Sequence, residues 1–236
     1  MGGYNKFVII TPGRSGSTFL ARTLNEHPEV SCEEEIFNRS VHDPGSFNAF
    51  LADNLYYRFL GFWFNREMTS TWKVNIPLQW LIKKFLQTKP ASPKGCKVSL
   101  DQLFAYPQLF KILSSYRVIY LTREDKTRMV LSLLAARRTG NYDAFDGTKV
   151  TLEPSQVKSQ LHQLLDWEKK CLELLRPGLV LKTKELFENQ ELTFERMQDY
   201  LQLTAPLTPI ESSRTHPSTI TEWVENYEEI VEYLNQ

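Results

Sequence analysis

The sequence has few cysteines, few histidines and no long apolar run. Its three cysteines, Cys32, Cys96 and Cys171, are far apart and odd in number, a pattern typical of neither a disulfide framework nor a zinc motif. No apolar segment approaches membrane-spanning length, and the first residues carry no signal-peptide pattern. We therefore expect a cytoplasmic protein in a reducing compartment, without membrane insertion.

Net charge is also missing, since 28 basic residues balance 28 acidic ones. No overall field attracts nucleic acid, so we expect no nucleic-acid partner, and any anion must be recognised by a local cluster of groups. Hydrophobic residues make up 42% of the 236 positions, enough for a sizeable core. The length fits one α/β domain over residues 1–236.

Short apolar segments alternate with amphipathic ones along the chain. We predict strands near 7–10, 96–98, 118–122 and 179–181, and helices over 17–27, 125–139, 154–176, 192–203 and 220–234. In the longest helix the side predicted to face the core carries Val157, Leu161, Leu164, Leu165, Leu172 and Leu175. The alternation predicts an α/β fold with a parallel sheet flanked by helices, whose ligands bind where the strands end.

A glycine-rich loop follows the first predicted strand. The loop and the start of the next helix carry Gly13, Arg14, Ser15, Gly16, Ser17 and Thr18. Glycines let the backbone approach an anion, amides at a helix start point towards it, and the hydroxyls and guanidinium add donors. An ordinary strand–helix turn is the alternative. The ATP-binding loop requires Gly-Lys before Ser or Thr, whereas Ser17 follows Gly16 directly.

Residues 12–20, Pro-Gly-Arg-Ser-Gly-Ser-Thr-Phe-Leu, resemble the 5′-phosphosulfate loop of sulfotransferases that use 3′-phosphoadenosine 5′-phosphosulfate (PAPS). The resemblance implies the P-loop-like sulfotransferase fold. It also implies that Arg14 and the amides of Ser15 and Gly16 bind the 5′-phosphate and the transferring sulfonate, with Ser17 and Thr18 adding hydroxyl donors. Many cytosolic members have Lys in place of Arg14, while members with Arg include bacterial carbohydrate sulfotransferases.

A second match concerns the strongest predicted strand. Residues 118–122 are followed by Arg123, and Ser132 lies nine positions later in the next predicted helix. In the family, an Arg and a Ser at these places hold the 3′-phosphate of PAPS, which suits a bidentate guanidinium and a neutral hydroxyl. The spacing resembles that of the trehalose sulfotransferase branch and is one residue longer than in cytosolic members. Taken alone, a strand-end Arg is more typical of a surface ion pair.

Two weaker matches supply a base and a further cation. Residues 32–37 resemble the acidic-aromatic segment of the trehalose branch, which implies that Glu35 is the catalytic base. A run of glutamates is equally typical of a solvated face, and Glu34 or His42 are alternative bases. Arg214, nine residues before Trp223, resembles a C-terminal Arg of that branch that reaches the donor.

Two further segments leave alternatives open. Lys97, in a predicted strand, could orient the donor or the acceptor, and a structural use is at least as common for such a residue. Residues 181–186 resemble the strand of the family that ends in Tyr-Glu-Asp-Leu, but they depart from it at Thr183 and Lys184.

These resemblances imply a sulfuryl transfer from PAPS, as co-substrate and without a metal, to a hydroxyl of a small acceptor such as a carbohydrate or another alcohol. Adenosine 3′,5′-bisphosphate would be released, and residues 38–94 would select the acceptor. One rival is a nucleoside-triphosphate-dependent kinase-like enzyme, which needs a loop lysine and a magnesium carboxylate, for which Asp125 is the candidate. The other rival is a catalytically silent nucleotide-binding module. The sequence also allows a homodimer.

Overall fold

A computed structural model describes residues 6–34, 82, 93–140, 147–211 and 219–236. Within these ranges, five parallel strands form one sheet in the order β2-β3-β1-β4-β5. The strands are β1 (Lys6–Thr11), β2 (Ser31–Glu33), β3 (Lys94–Ser99), β4 (Arg117–Thr122) and β5 (Leu179–Lys182). The predicted parallel sheet is confirmed. Only β2, three residues long, was missing from the sequence-based prediction.

The helices that the structure describes from end to end cover both faces of the sheet. They are α1 (Ser17–Glu26), α2 (Leu100–Ala105), α3 (Gln108–Leu113), α4 (Lys126–Thr139), α5 (Pro154–Leu175), α6 (Thr183–Glu188), α7 (Gln190–Leu201) and α8 (Tyr227–Leu234). The predictions for α1, α4, α5 and α7 are confirmed to within two residues at each end, whereas α2, α3 and α6 were not predicted. Among the described helices, none combines the length and the apolar character needed to cross a membrane.

The central strand β1 is buried on both sides. Phe7 and Ile9 pack against residues of α1, α6 and α7, whereas Val8 and Ile10 pack against residues of α2 to α5 and α8. All four side chains are fully buried. A parallel sheet covered on both faces needs apolar residues at successive positions rather than in alternation, which explains the run Phe-Val-Ile-Ile.

The ends of α4 follow the rules for helix capping. The carboxylate of Asp125 accepts a hydrogen bond from the backbone amide of Arg128 at 2.8 Å, as an N-cap residue does. At the other end Gly140 has a φ angle of 74°, the left-handed conformation that ends many helices. Asp125 and Gly140 therefore fix the length of α4, as the sequence predicted.

The predicted apolar side of α5 is partly wrong. Val157, Leu164 and Leu175 are buried, but Leu165 and Leu172 are 45% and 39% exposed. Glu168 and Cys171 take the inward positions instead. The carboxylate of Glu168 faces the sheet because it accepts hydrogen bonds from residues of β4. With Glu168 on the inner side of the helix, Leu165 and Leu172 face outward.

The predicted helix over 220–234 is interrupted. A short 3₁₀ turn, Ile220–Glu222, precedes α8, and the backbone of residues 223–225 pairs with Val150 instead of continuing the helix. The Val150 amide donates to the carbonyl of Trp223, and the Glu225 amide donates to the carbonyl of Val150, both at 3.0 Å. These two bonds replace helical ones, and they bury the Trp223 ring in the core.

The burial of all three cysteines predicts that their thiols react slowly in the native protein. It raises the pKa of Cys96 and of Cys171 to about 12 and raises the pKa of Cys32 as well. Because the thiolate is the nucleophile and each pKa unit lowers its fraction tenfold, alkylation of the native protein at pH 8 should be more than about a hundredfold slower than in guanidinium. Timed labelling with iodoacetamide followed by mass spectrometry measures this. A cysteine labelled equally fast in both conditions would contradict the burial described here.

Candidate functional site

The loop between β1 and α1 has an unusual backbone. Gly13, Arg14 and Gly16 have φ angles of 78°, 52° and 82°, all in the left-handed region. Arg14 adopts this region at a cost of about 1 kcal/mol, because its Cβ crowds the backbone. At Gly16 the choice of glycine is also steric, since a Cβ there would lie 2.9 Å from the ring of Phe187. The loop therefore has three residues in the left-handed region, two glycines that adopt it readily and one arginine that adopts it at a cost.

Hydrogen bonds of two buried hydroxyl groups stabilise the loop. The side chains of Thr11 and Ser15 hydrogen-bond each other, and the Gly13 amide lies 3.4 Å from the Thr11 hydroxyl. Ser15 is fully buried. Its hydroxyl therefore stabilises the turn, and the expected anion donor at this position is its backbone amide.

The start of α1 forms the second side of the loop. The first helical hydrogen bond runs from the Leu20 amide to the Gly16 carbonyl at 3.1 Å, so the amides before Leu20 have no partner within the helix. No acidic residue occupies the first turn of α1, and the helix dipole makes this end positive. Ser17 is buried and Thr18 is exposed beside these amides. The geometry suits an anion.

Three of the predicted site residues come together in space. The Arg14 guanidinium donates from Nε to the Ser132 hydroxyl at 3.1 Å, and Arg123 donates from Nη1 to the Arg14 carbonyl at 3.2 Å. Arg123 directly follows β4, and Ser132 lies on α4, where it is only 4% exposed. The loop after β1 and the end of β4 thus form one cluster at the carboxyl edge of the sheet.

This cluster is strongly basic. Burial lowers the pKa of Arg123, and the positive charges of Arg128 and Arg14 lower it further, while Asp125 acts in the opposite direction. An arginine stays charged under any physiological condition. The guanidinium groups therefore repel one another at close range, and a bound anion would relieve that repulsion.

Lys97 adds a buried charge beneath the loop. It lies in β3 next to Ile9 of β1 and is 2% exposed. Its ammonium group donates to the Thr18 hydroxyl at 3.2 Å. Burying an ammonium is costly unless it is hydrogen-bonded, so this position is built to bring positive charge to the first turn of α1. The sequence left the role of Lys97 open, and the structure places it at the loop.

The candidate bases are only partly described. Glu34 pairs with Arg22, whose Nε lies 2.9 Å from the carboxylate, and the Arg22 side chain is largely exposed. Glu35, His42 and Arg214 lie outside the residues that the structure describes. Their roles remain predictions from the sequence.

A threonine that the sequence noted only as a departure lies beside the loop. The Thr183 hydroxyl is 2.8 Å from the Ser15 carbonyl and 3.1 Å from the Thr122 carbonyl. Thr183 is the first residue of α6, directly after β5. Ligands in such folds bind where parallel strands end. Because Thr183 follows a predicted strand, its place in the sequence could have indicated that it lies near the site.

A buried ionic network supports the end of β4 from the other face of the sheet. The Glu168 carboxylate accepts from the Tyr120 hydroxyl and the Thr122 hydroxyl at 2.8 Å each, and from the Lys126 ammonium at 2.5 Å. Burial and the charge of Glu168 raise the pKa of Tyr120. Because Arg123 lies between Thr122 and Lys126, this network fixes the backbone on both sides of Arg123.

Comparisons with known proteins define the fold. No protein-family model and no curated protein sequence matches the chain. Its structure is similar to a sulfotransferase from Alicyclobacillus acidocaldarius, with 13% identity, a TM-score of 0.54, and coverage of 100% of this chain and 92% of that one. It is also similar to sulfotransferase STF9 from Mycobacterium avium, with 12% identity, a TM-score of 0.56, and coverage of 100% and 76%. The chain has the P-loop-like α/β fold of these sulfotransferases.

The Glu168 network makes a stability prediction. Glu168→Leu removes the acceptor of the buried Tyr120 hydroxyl and the partner of the partly buried Lys126 ammonium, and leaving a buried donor unsatisfied costs about 1–3 kcal/mol. Glu173→Leu, at an exposed position of the same helix, should change stability by less than about 0.5 kcal/mol. Urea unfolding of both variants measures the difference. Equal stability of the two variants would show that the network does not support β4.

Proposed function

We propose that the protein transfers a sulfuryl group from PAPS to a hydroxyl of a small acceptor, a carbohydrate or another alcohol, and releases adenosine 3′,5′-bisphosphate. The observation that carries the proposal is the contact of Arg14 with Ser132 and of Arg123 with the Arg14 carbonyl. Through it, the two segments that resemble the 5′-phosphate and 3′-phosphate sites of PAPS enzymes lie side by side. The fold shared with two sulfotransferases supports the same function.

The donor is held by two groups of residues. The amides of residues 14–18, the Arg14 guanidinium and the positive end of α1 bind the 5′-phosphosulfate, because all of them direct positive charge into the loop. Arg123 and Ser132 bind the 3′-phosphate, with Arg214 as a further cation predicted from the sequence. Lys97 adds charge beside Thr18, where the sulfonate end of the donor would lie.

Catalysis depends on positioning and on charge stabilisation. PAPS supplies an activated sulfuryl group, and the acceptor oxygen forms a bond to sulfur as the bond from sulfur to the 5′-phosphate oxygen breaks. Arg14 and the start of α1 stabilise the negative charge that develops on the leaving phosphate. Glu35 takes the proton of the acceptor hydroxyl, so that no alkoxide has to form in advance. Orientation of the two reactants supplies much of the remaining rate enhancement.

Two features favour the carbohydrate branch of these enzymes. Arg14 stands where many cytosolic members have lysine, and the spacing from Arg123 to Ser132 resembles that of trehalose sulfotransferases. We infer a sugar hydroxyl as the first acceptor to test. Residues 38–94 would select it.

The donor assignment predicts a nucleotide preference. A charge-assisted contact is worth about 1.5–3 kcal/mol, so adenosine 3′,5′-bisphosphate should bind at least about tenfold more tightly than adenosine 5′-phosphate. Arg123→Gln should remove most of this preference and leave the 5′-phosphate affinity nearly unchanged. Arg137→Gln is the matched control, because Arg137 lies on α4 but is exposed and donates to Gln160. Isothermal titration calorimetry measures the affinities of the wild type and both variants for both nucleotides, six combinations in all.

Three results would contradict the proposal in different ways. Equal affinity of the wild type for both nucleotides would refute the assignment of Arg123 and Ser132 to the 3′-phosphate. Thermal stabilisation by magnesium-ATP but not by the bisphosphate would favour the kinase-like enzyme; saturating ligand at a hundred times its dissociation constant stabilises by about 2.7 kcal/mol. Tight bisphosphate binding without transfer from labelled PAPS to any sugar, lipid or phenol would favour the silent module.

The base assignment makes a separate prediction. Glu35→Gln keeps the shape of the side chain but cannot accept the proton, and a positioned base typically contributes about 10²–10⁴-fold in rate. Turnover should fall by that factor, while the affinity for the bisphosphate stays nearly constant. Steady-state kinetics with labelled PAPS, together with calorimetry, separates the two quantities.

Glu34→Gln is the matched control, since Glu34 is the adjacent carboxylate and pairs with Arg22. It should keep nearly full turnover. A fully active Glu35→Gln together with an inactive Glu34→Gln or His42→Ala would reassign the base and leave the donor site intact.

A further inference from the structure

Thr183 connects two segments that are distant in the sequence. Its hydroxyl lies 2.8 Å from the carbonyl of Ser15 and 3.1 Å from the carbonyl of Thr122. Ser15 is the neighbour of Arg14 in the loop, and Thr122 is the neighbour of Arg123 at the end of β4. One side chain therefore contacts the backbone beside each of the two proposed phosphate sites.

The contacts are made to main-chain carbonyls. A hydroxyl has one proton, so it donates to the nearer Ser15 carbonyl and shares the donor with the Thr122 carbonyl. Main-chain contacts fix the position of a peptide unit rather than of a mobile side chain. The distance between the loop and the strand end is therefore set in part by Thr183.

The helix that begins at Thr183 is itself packed against the loop. Phe187 of α6 stacks on Phe19 of α1, with 5.2 Å between the ring centroids. The same Phe187 ring lies where a side chain at Gly16 would stand. α6 thus contacts both ends of the segment 15–19, and it holds the Thr183 hydroxyl in place.

A second link between the two sites uses a group that the ligand would need. Arg123 donates to the Arg14 carbonyl, but under the proposed function its guanidinium also binds the 3′-phosphate. Among the residues that the structure describes, the Thr183 hydroxyl hydrogen-bonds only main-chain carbonyls. Its link can therefore persist when the nucleotide is bound.

We propose that Thr183 is a positioning residue that sets the spacing between the 5′-phosphate loop and the 3′-phosphate pair, Arg123 and Ser132. The inference rests on the proposed function, because it presupposes that both phosphates of one nucleotide bind here. A ligand with two anchoring groups gains the full benefit of both only when the spacing of the two sites matches its own. Removing the hydroxyl should therefore weaken two-site binding more than binding at either site alone.

The test compares three nucleotides on one variant. Thr183→Val keeps the shape of the side chain and removes the hydroxyl, so the affinity for adenosine 3′,5′-bisphosphate should fall about tenfold, the range expected for one lost hydrogen bond. The affinities for adenosine 5′-phosphate and adenosine 3′-phosphate should each change less than about twofold. Thr183→Ser, which retains the hydroxyl, should restore bisphosphate binding. Calorimetry well below the unfolding temperature measures each affinity.

A matched control distinguishes positioning from stability. The Thr193 hydroxyl also lies near two carbonyls, those of Glu185 and Asn189 at 3.1 and 2.8 Å, but at the junction of α6 and α7. Thr193→Val makes the same chemical change and should leave all three affinities unchanged. Thr183→Ala, which removes the same hydroxyl, is a second variant with the same expected pattern if Thr183→Val folds poorly.

The outcomes separate this inference from the proposed function. If the wild type does not prefer the bisphosphate, the proposed function itself fails. If the wild type prefers it but Thr183→Val and Thr183→Ala bind all three nucleotides like the wild type, only the role of Thr183 is refuted. Equal losses of affinity for adenosine 5′-phosphate and for adenosine 3′,5′-bisphosphate would also refute it. Thr183 would then affect only the loop and not the spacing between the two sites.

Discussion

Three successive carbonyl groups of the loop between β1 and α1 accept hydrogen bonds from three different elements. The Arg14 carbonyl accepts from Arg123 after β4, the Ser15 carbonyl accepts from Thr183 at the start of α6, and the Gly16 carbonyl accepts from within α1. With the carbonyls engaged on the protein side, the left-handed backbone of this loop is held against its own strain. The position of the loop relative to the end of β4 and the start of α6 depends on this set of bonds.

The sheet order makes that arrangement possible. β1 pairs with β4, and β4 pairs with β5, all in parallel, so the three segments that follow these strands meet at one edge. On the opposite face Glu168 binds the side chains of Tyr120, Thr122 and Lys126. Arg123 is thus held between a buried ionic network and the loop, and a rigid scaffold of this kind is what precise placement of two phosphates requires.

Local sequence signals predicted the parts of the site that depend on local chemistry. Gly13 and Gly16 mark the turn between the first strand and helix, the run 118–122 marks a buried strand, and Asp125 marks the start of a helix; the structure agrees with each. The missed features depend on contacts distant in sequence. Thr183 gains its importance from Ser15, and Glu168 faces inward because of Tyr120 and Thr122, which no periodicity in α5 could indicate. The break before α8 likewise comes from pairing with Val150.

A crystal structure with adenosine 3′,5′-bisphosphate tests the central claim most directly, because that claim concerns where two phosphates of one nucleotide bind. The account predicts the 5′-phosphate at the amides of residues 14–18 and the start of α1. It predicts the 3′-phosphate in contact with the Arg123 guanidinium and the Ser132 hydroxyl. Density for the nucleotide in the reverse orientation, or away from the carboxyl edge of β1 and β4, would contradict it.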